Sequence, residues 1–167
     1  FGDIRLVGYT NRVDTKLEEQ FSAVTYLLGE GHAFVAFRGT DGTLVGWKED
    51  FNMAASTSVP SQREAAAYLN AAADALAGSL RAGGHSKGGN LAVYAAAFCH
   101  APVQARVAAV YSHDGPGFLP QIVESAAYRR IRGRVHAFVP QSSVVGMLLH
   151  HDEETTVVHS TNTFLLQ

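Results

Sequence analysis

At 167 residues, 47% apolar and 17% charged, the chain fits one domain with a sizeable core, built on a two-faced buried sheet rather than a solvated bundle. Its net charge of −2 leaves no electrostatic case for nucleic acid or an anionic membrane surface. The lone Cys99 excludes an internal disulfide, and no run reaches transmembrane length or shows a basic-then-apolar leader pattern. A cytoplasmic location is therefore expected, although the opening Phe1-Gly2-Asp3 reads as an interior cut that leaves room for a removed leader.

In chain order, Ile4 to Tyr9 reads as a short strand and Asn11 to Glu19 as a polar connection or short helix. Phe21 to Leu28 and Ala33 to Phe37 are runs rich in aromatic and β-branched residues, and Gly29-Glu30-Gly31-His32 between them predicts a hairpin. The second strand leads into Arg38-Gly39-Thr40-Asp41-Gly42, after which Leu44, Trp47, Lys48 and Phe51 recur at helical spacing. Ala54 to Val59 is a loop. Ser61-Gln62-Arg63-Glu64 matches a capping box, with Ser61 as N-cap and Glu64 reaching back. The helix it opens places Ala65, Tyr68, Leu69, Ala72, Ala73 and Leu76 on one face and closes at Gly78.

Ser79 to Ala82 approaches Gly83-Gly84-His85-Ser86-Lys87-Gly88-Gly89-Asn90 like a strand, and an all-apolar run to Cys99 follows like a buried helix. Strand, glycine-flanked serine and buried helix together make the context of a G-x-S-x-G nucleophile elbow. Glycine is needed there because the two backbones must come close, while the sharp bend lifts the serine clear of the sheet. The spacing excludes a P-loop, since Lys87 precedes Gly88 rather than Ser or Thr, and it excludes a G-x-G-x-x-G dinucleotide turn. The bland alternative is a tight turn whose serine does nothing.

Ala101-Pro102 is expected to end the elbow helix, and Arg106 to Ser112 to form the next strand. Leu119 to Ile131 looks helical, Val135 to Val139 is a strand, Pro140 to Leu149 a loop or helix, and Thr155 to His159 a last strand. The alternation predicts an α/β fold: a mostly parallel sheet with helices on both faces and an N-terminal antiparallel hairpin, one domain over residues 1–167.

Around Ser86, Asp114 fits the acid of a triad, ending a strand one step beyond the elbow strand, with Gly115-Pro116-Gly117 to fix its turn. Its ordinary role would be to cap that turn. The more usual acid position follows the next strand, where the chain has Gln141-Ser142-Ser143 and no carboxylate. No histidine is an obvious base. His150, His151 and His159 come late enough, but the first two sit in what reads as a solvated acidic loop. An oxyanion hole would take one N–H from Lys87, directly after the serine, and one from Thr40. No metal or organic cofactor is expected.

On these residues the chain resembles class 3 lipase-type α/β-hydrolases, and more closely a bacterial lipase-like family of unknown function. The family's pattern is met by Arg38-Gly39-Thr40-Asp41, by Gly46-Trp47-Lys48-Glu49-Asp50-Phe51-Asn52, by residues 84–92, by Asp114-Gly115-Pro116-Gly117-Phe118 and by residues 139–149. The resemblance implies an α/β-hydrolase fold, Ser86 as nucleophile and Thr40 with Lys87 at the oxyanion hole. In that family a histidine directly follows the glutamine matching Gln167, which implies a base just past the last residue here, in a domain trimmed at both ends. The expected activity is hydrolysis of a small-molecule or lipid ester through an acyl-enzyme. The alternative is a non-catalytic binding module on the same scaffold.

Overall fold

The computed structural model describes residues 3–14, 19–40, 56 and 58–159. Seven strands form one sheet in which spatial order follows chain order. β1 (Arg5–Asp14), β2 (Glu19–Gly29) and β3 (His32–Phe37) are antiparallel neighbours, and β2 and β3 turn at Glu30-Gly31 as the hairpin pattern predicts. From β3 onward, β4 (Leu80–His85), β5 (Val107–His113), β6 (Val135–Pro140) and β7 (Thr155–Val158) are all parallel.

Between the parallel strands lie α1 (Pro60–Ala75), α2 (Lys87–Phe98), α3 (Ala101–Arg106), α4 (Pro120–Val123) and α5 (Ala126–Ile131). Each crossover steps to the next strand in the same direction. Right-handed crossovers then put successive helices on one side, and α1 and α5 both pack against α2. The core lies there, with Val35, Leu80, Ala82, Val110 and Val135 beneath Leu69, Leu91, Ala95 and Ile131. Phe34, Tyr111, His136 and Phe138 point to the other face, where Phe34 stacks on Tyr111 and Tyr111 on His136. The described helices thus cover one of the two faces expected to be buried.

Several local expectations shift. The polar residues Asn11–Asp14 continue β1 rather than leaving the sheet, because they pair with Glu19–Ser22 on β2. α1 begins two residues early: Val59 is the N-cap, Pro60 opens the first turn, and Gln62 rather than Glu64 reaches back, its Oε1 accepting from the Val59 N–H at 3.0 Å. Proline with its preset φ starts the helix, so Ser61 is buried inside the first turn. The Ala101-Pro102 pair opens the separate α3 instead of merely ending α2, and α3 runs to Arg106, so β5 starts at Val107. Residues 119–131 form two helices because Ser125 caps the second, accepting from the Tyr128 N–H at 3.2 Å. Residues 140–149 form a loop with one 3₁₀ turn at Val145–Met147. The helix expected from Thr43 and the Gly46–Asn52 pattern lie outside the described residues.

Candidate active site

β4 ends at His85, Ser86 follows with φ 54° and ψ −130°, and α2 starts at Lys87. The flanking glycines make this turn possible. A Cβ on Gly84 would lie 2.4 Å from the Phe37 carbonyl oxygen, and one on Gly88 would lie 2.2 Å from that same oxygen. Strand, helix and the end of β3 are therefore in backbone contact, as the elbow pattern requires. Ser86 donates its N–H to the His113 carbonyl at 2.8 Å and is half-buried. Its side chain makes no bond to the helix it caps, which leaves the hydroxyl available at the N-terminus of α2, where a developing anion is favoured.

The loop after β3 runs alongside. A Cβ on Gly39 would meet the His85 carbonyl oxygen at 2.8 Å and the Ser86 Cβ at 3.6 Å, so Gly39 is what lets Arg38-Gly39-Thr40 approach the serine. The Arg38 N–H is held by the Ser22 carbonyl at 2.9 Å, and its guanidinium reaches Asn11 Oδ1 at 3.4 Å. Thr40 is half-buried at the end of this loop. The Lys87 side chain is 2% exposed and crosses the end of β3 to β2, where Nζ donates to the Gln20 carbonyl at 2.7 Å and to Gln20 Oε1 at 3.4 Å. The residue after the serine thus keeps its backbone at the helix start and ties the elbow to the hairpin.

Asp114 follows β5, the strand beside β4, and like Ser86 has φ 54°. Left-handed backbone at non-glycine residues is costly and gathers at functional sites. The Asp114 N–H donates to the Phe138 carbonyl at 2.8 Å. Its Oδ1 accepts from the Ser143 hydroxyl and from the Gly146 N–H at 3.1 Å. Among the described residues, Oδ2 accepts none. The carboxylate is therefore held by the loop after β6 and not spent on its own turn. That turn abuts the elbow, since a Cβ on Gly115 would lie 3.0 Å from the Asn90 nitrogen and 3.1 Å from the Ser86 carbonyl oxygen.

Two supporting residues had no assigned role in the sequence. Asn90, 1% exposed in the largely apolar α2, donates through Nδ2 to the carbonyls of Pro116 at 3.1 Å and Gly117 at 3.0 Å. Its Oδ1 accepts from Gln62 Nε2 at 2.8 Å. This buried chain links the start of α1, the elbow helix and the Asp114 turn. The one legible signal was an amide within an apolar helix, because a buried amide must find partners.

The histidines are scattered. His85 and His136 are exposed, His113 stacks on Phe138 at 5.3 Å, and His100 is the N-cap of α3. His159 follows β7 and pairs through Nδ1 with Gln141 Oε1 at 2.8 Å. β7 lies three strands from β4, about 14 Å at the usual strand spacing, so His159 stands well away from Ser86.

In the 150–154 segment His150, Asp152 and Glu154 are exposed, as a solvated acidic loop would have them, but the His151 and Glu153 side chains turn inward. His150 bridges to Phe118 through the backbone, and His151 Nδ1 pairs with Glu153 Oε1 at 2.8 Å. The Glu153 side chain is only 4% exposed and also accepts from the Tyr128 hydroxyl. The hydrogen bond to Glu153 holds the His151 imidazole above its ordinary range against the opposing effect of burial. Burial pushes the Glu153 carboxyl up, but the bonds from His151 and Tyr128 outweigh it and leave the group below its usual range. Tyr128, packed edge-on against Phe118 with ring centroids 5.9 Å apart, supplies the hydroxyl that helps satisfy the buried carboxylate. Beside it an open cleft of about 850 Å³ runs between Pro120, Arg129, Arg132 and His150, and neither Ser86 nor Asp114 lines it. Among the described residues no cluster of three or more His, Cys, Asp or Glu is placed to hold a metal ion.

A family model described as Mbeg1-like matches residues 1–167. Among solved structures, a fungal lipase–inhibitor complex described as a model for interfacial activation in lipases superposes with a TM-score of 0.63 at 15% identity over 86% of this chain. A structure described as M37 lipase superposes with a TM-score of 0.54 at 12% identity, also over 86% of this chain. The chain spans 60% and 55% of the lengths of those two proteins. At such identity the likeness establishes a shared α/β-hydrolase-like fold. A search of curated proteins found no match.

Proposed function

This chain belongs to the Mbeg1-like family, and on its lipase-like scaffold we propose that it hydrolyses a carboxylic ester through an acyl-enzyme on Ser86. The observation that carries the reading is the geometry at Ser86. A left-handed serine sits between strand and helix, its hydroxyl is not used as a cap, and the Gly39 loop lies against its Cβ.

Ser86 Oγ bonds to the ester carbonyl carbon as its proton passes to an imidazole, and the carbonyl electron pair moves to oxygen. The N–H groups of Thr40 and Lys87 receive that oxyanion. The carbon–oxygen bond to the alcohol then breaks, and the leaving alcohol takes the proton back from the imidazolium. Water repeats the sequence and frees Ser86. Asp114 Oδ2 orients the imidazole. The base is the histidine that, by the family resemblance, directly follows Gln167.

The test is labelling by a fluorophosphonate probe together with turnover of 4-nitrophenyl butyrate. Ser86→Ala should abolish labelling, lower kcat by at least ~10³-fold and leave the unfolding midpoint within about 2 °C of the parent. A parent protein that extends past Gln167 to include that histidine, and folds yet neither labels nor turns over ester, would favour the binding module.

A further inference from the structure

The turn that carries Asp114 is fastened along one side by residues 146–151. The Gly146 N–H donates to Asp114 Oδ1 at 3.1 Å, and the Gly117 N–H donates to the Leu148 carbonyl at 2.9 Å. Phe118 and His150 then exchange both backbone hydrogen bonds, at 2.9 and 3.0 Å. Leu149, between these contacts, has φ 66°, so the run follows the turn at some cost in backbone strain. The approach is close enough that a Cβ on Gly117 would lie 2.3 Å from the His150 carbonyl oxygen and 3.0 Å from His151 Cδ2.

His151 ends this run and ties it to the rest of the molecule. Its Nδ1 pairs with Glu153 Oε1, while Glu153 Oε2 accepts from the Tyr128 hydroxyl and from the Asp152 N–H at 3.0 Å. Tyr128 lies in α5, which packs on the elbow helix α2, and from α2 Asn90 reaches back to the carbonyls of Pro116 and Gly117. The contacts close into a ring that contains both the helix opened by Ser86 and the turn of Asp114. Opening the ring at His151 frees residues 146–151 from α5, and with them one wall of the Asp114 turn.

The proton on His151 decides how firmly this link is made. Against an ionised Glu153, a charged imidazole makes a bond roughly twice as strong as a neutral one. Among the described residues this is the ring's only hydrogen bond, since Nε2 is buried without a partner. The bond to Glu153 foremost, with lesser help from the carbonyls of Leu148 and Gly146, favours the charged ring against burial. Burial pushes the Tyr128 hydroxyl well up, so it stays a donor to Glu153. The other charged groups around the ring are Arg129 on α5, Arg132, Glu124, His150 and Asp152 along the cleft, and Asp114 on the turn side. Arg132 is paired with Asp152 at 2.6 Å and both are about half exposed, so water screens them.

We propose that His151 and Glu153 are positioning residues for the acid Asp114: the protonated imidazole locks the Asp114 turn to the elbow helix, and loss of that proton loosens the turn and slows ester hydrolysis on the alkaline side. The inference rests on the esterase reading of Ser86. His151 acts through the turn, while the base that takes the Ser86 proton is a different histidine. The two imidazoles have opposite needs, because the base must be neutral and His151 charged. The folded value of His151 is raised above 6.5, so the link is held below that value and weakened above it. It follows that kcat rises with pH as the base titrates and then falls.

The test is kcat and KM for 4-nitrophenyl butyrate from pH 6 to 9, on the protein extended past Gln167, with Ser86→Ala as background and thermal unfolding at each pH. In the parent, kcat should pass a maximum and then fall about tenfold with KM unchanged, part of the ~10²-fold that misplacement on the order of 1 Å costs. Glu153→Gln removes the partner that holds the proton, so the falling limb should move to lower pH. His151→Gln cannot titrate, so it should keep the rising limb, lose the falling one and stay about tenfold below the parent maximum. A contact that only supports the fold would lower the unfolding midpoint and leave the shape of the profile alone. A parent profile without a falling limb, or a folded His151→Gln that keeps it, overturns the proposal. If neither variant folds, the His151 ring signal in NMR decides on the parent: a titration midpoint matching the falling limb supports the proposal, and a separate one overturns it. Undiminished labelling of Ser86→Ala is a different failure. It removes the esterase reading itself, and this proposal with it.

Discussion

Gly146 shows how little room the Asp114 carboxylate has. Its missing side chain is what admits Asp114 Oδ1, and its amide is one of the two donors that hold that oxygen. Gly146→Ala would force the carboxylate or Val139 to move. Misplacement on the order of 1 Å at a reacting constellation costs about 10²-fold in rate, so the variant is expected to lose about that much kcat in ester turnover. Its unfolding free energy should fall by about 1–3 kcal/mol from overpacking, measured separately by urea titration. Full turnover despite the crowding would show that the Asp114 carboxylate does not need this seat. By contrast Cys99 acts as a small buried hydrophobe. Burial pushes its thiol up to about 11, which keeps it protonated and unreactive at neutral pH.

At the level of elements, α1 is fixed at both ends by residues outside its own repeating pattern. Its start is held by Gln62, which passes the constraint on to Asn90 in α2. At its end, where a helix runs short of intrahelical donors, one arginine from α3 gathers carbonyls of the last turn and of the residues just past it. Arg106 donates to Ala73 O at 2.9 Å, to Leu76 O, and to Gly78 O at 2.8 Å. The cation also complements the negative end of the helix dipole. Arg106→Met keeps much of the stem but takes this donor from the Leu76 and Gly78 carbonyls, while Ala73 O keeps the Leu76 N–H. With each charged hydrogen bond contributing about 1.5–3 kcal/mol, the net loss should be about 3 kcal/mol. It would appear as a lower urea midpoint with an unchanged slope. A midpoint shift below the scatter of repeat measurements would mean that water replaces the guanidinium without cost.

Across the whole molecule, the His151–Glu153 pair joins the segment between β6 and β7 to α5 through Tyr128. The two groups shift in opposite senses. His151, raised above 6.5 by its bond to Glu153, adds stability that is complete below 6.5 and fades as pH climbs through its folded value. Glu153 ends below 4.5, because its bonds from His151 and Tyr128 outweigh burial, and it adds stability that is complete above 4.5 and fades as pH falls through its folded value. The pair therefore contributes most between pH 4.5 and 6.5. The unfolding midpoint should drop as pH rises from 6 toward 9, and Glu153→Gln should flatten that drop by removing the partner that keeps the imidazole charged. An equally steep drop in Glu153→Gln would assign it to other groups.

The sequence by itself determined whatever depends on near neighbours along the chain. The Gly84–Gly89 run could be read as an elbow because glycine sterics and the switch from strand to apolar helix are local properties, and the β2–β3 hairpin could be read for the same reason. Tertiary structure decided what depends on which strand ends lie side by side. The donors to Asp114 come from 29 and 32 residues away, and only the parallel pairing of β5 with β6 brings them within reach. The 150–154 segment looked solvated because its charges are adjacent in sequence. Its Glu153 side chain is nonetheless buried, because Tyr128 from α5 supplies the hydroxyl that makes burial of that carboxylate affordable in free energy. Even the cap of α1 passed from Glu64 to Gln62 through packing, since the same Gln62 amide must also meet Asn90 across the core.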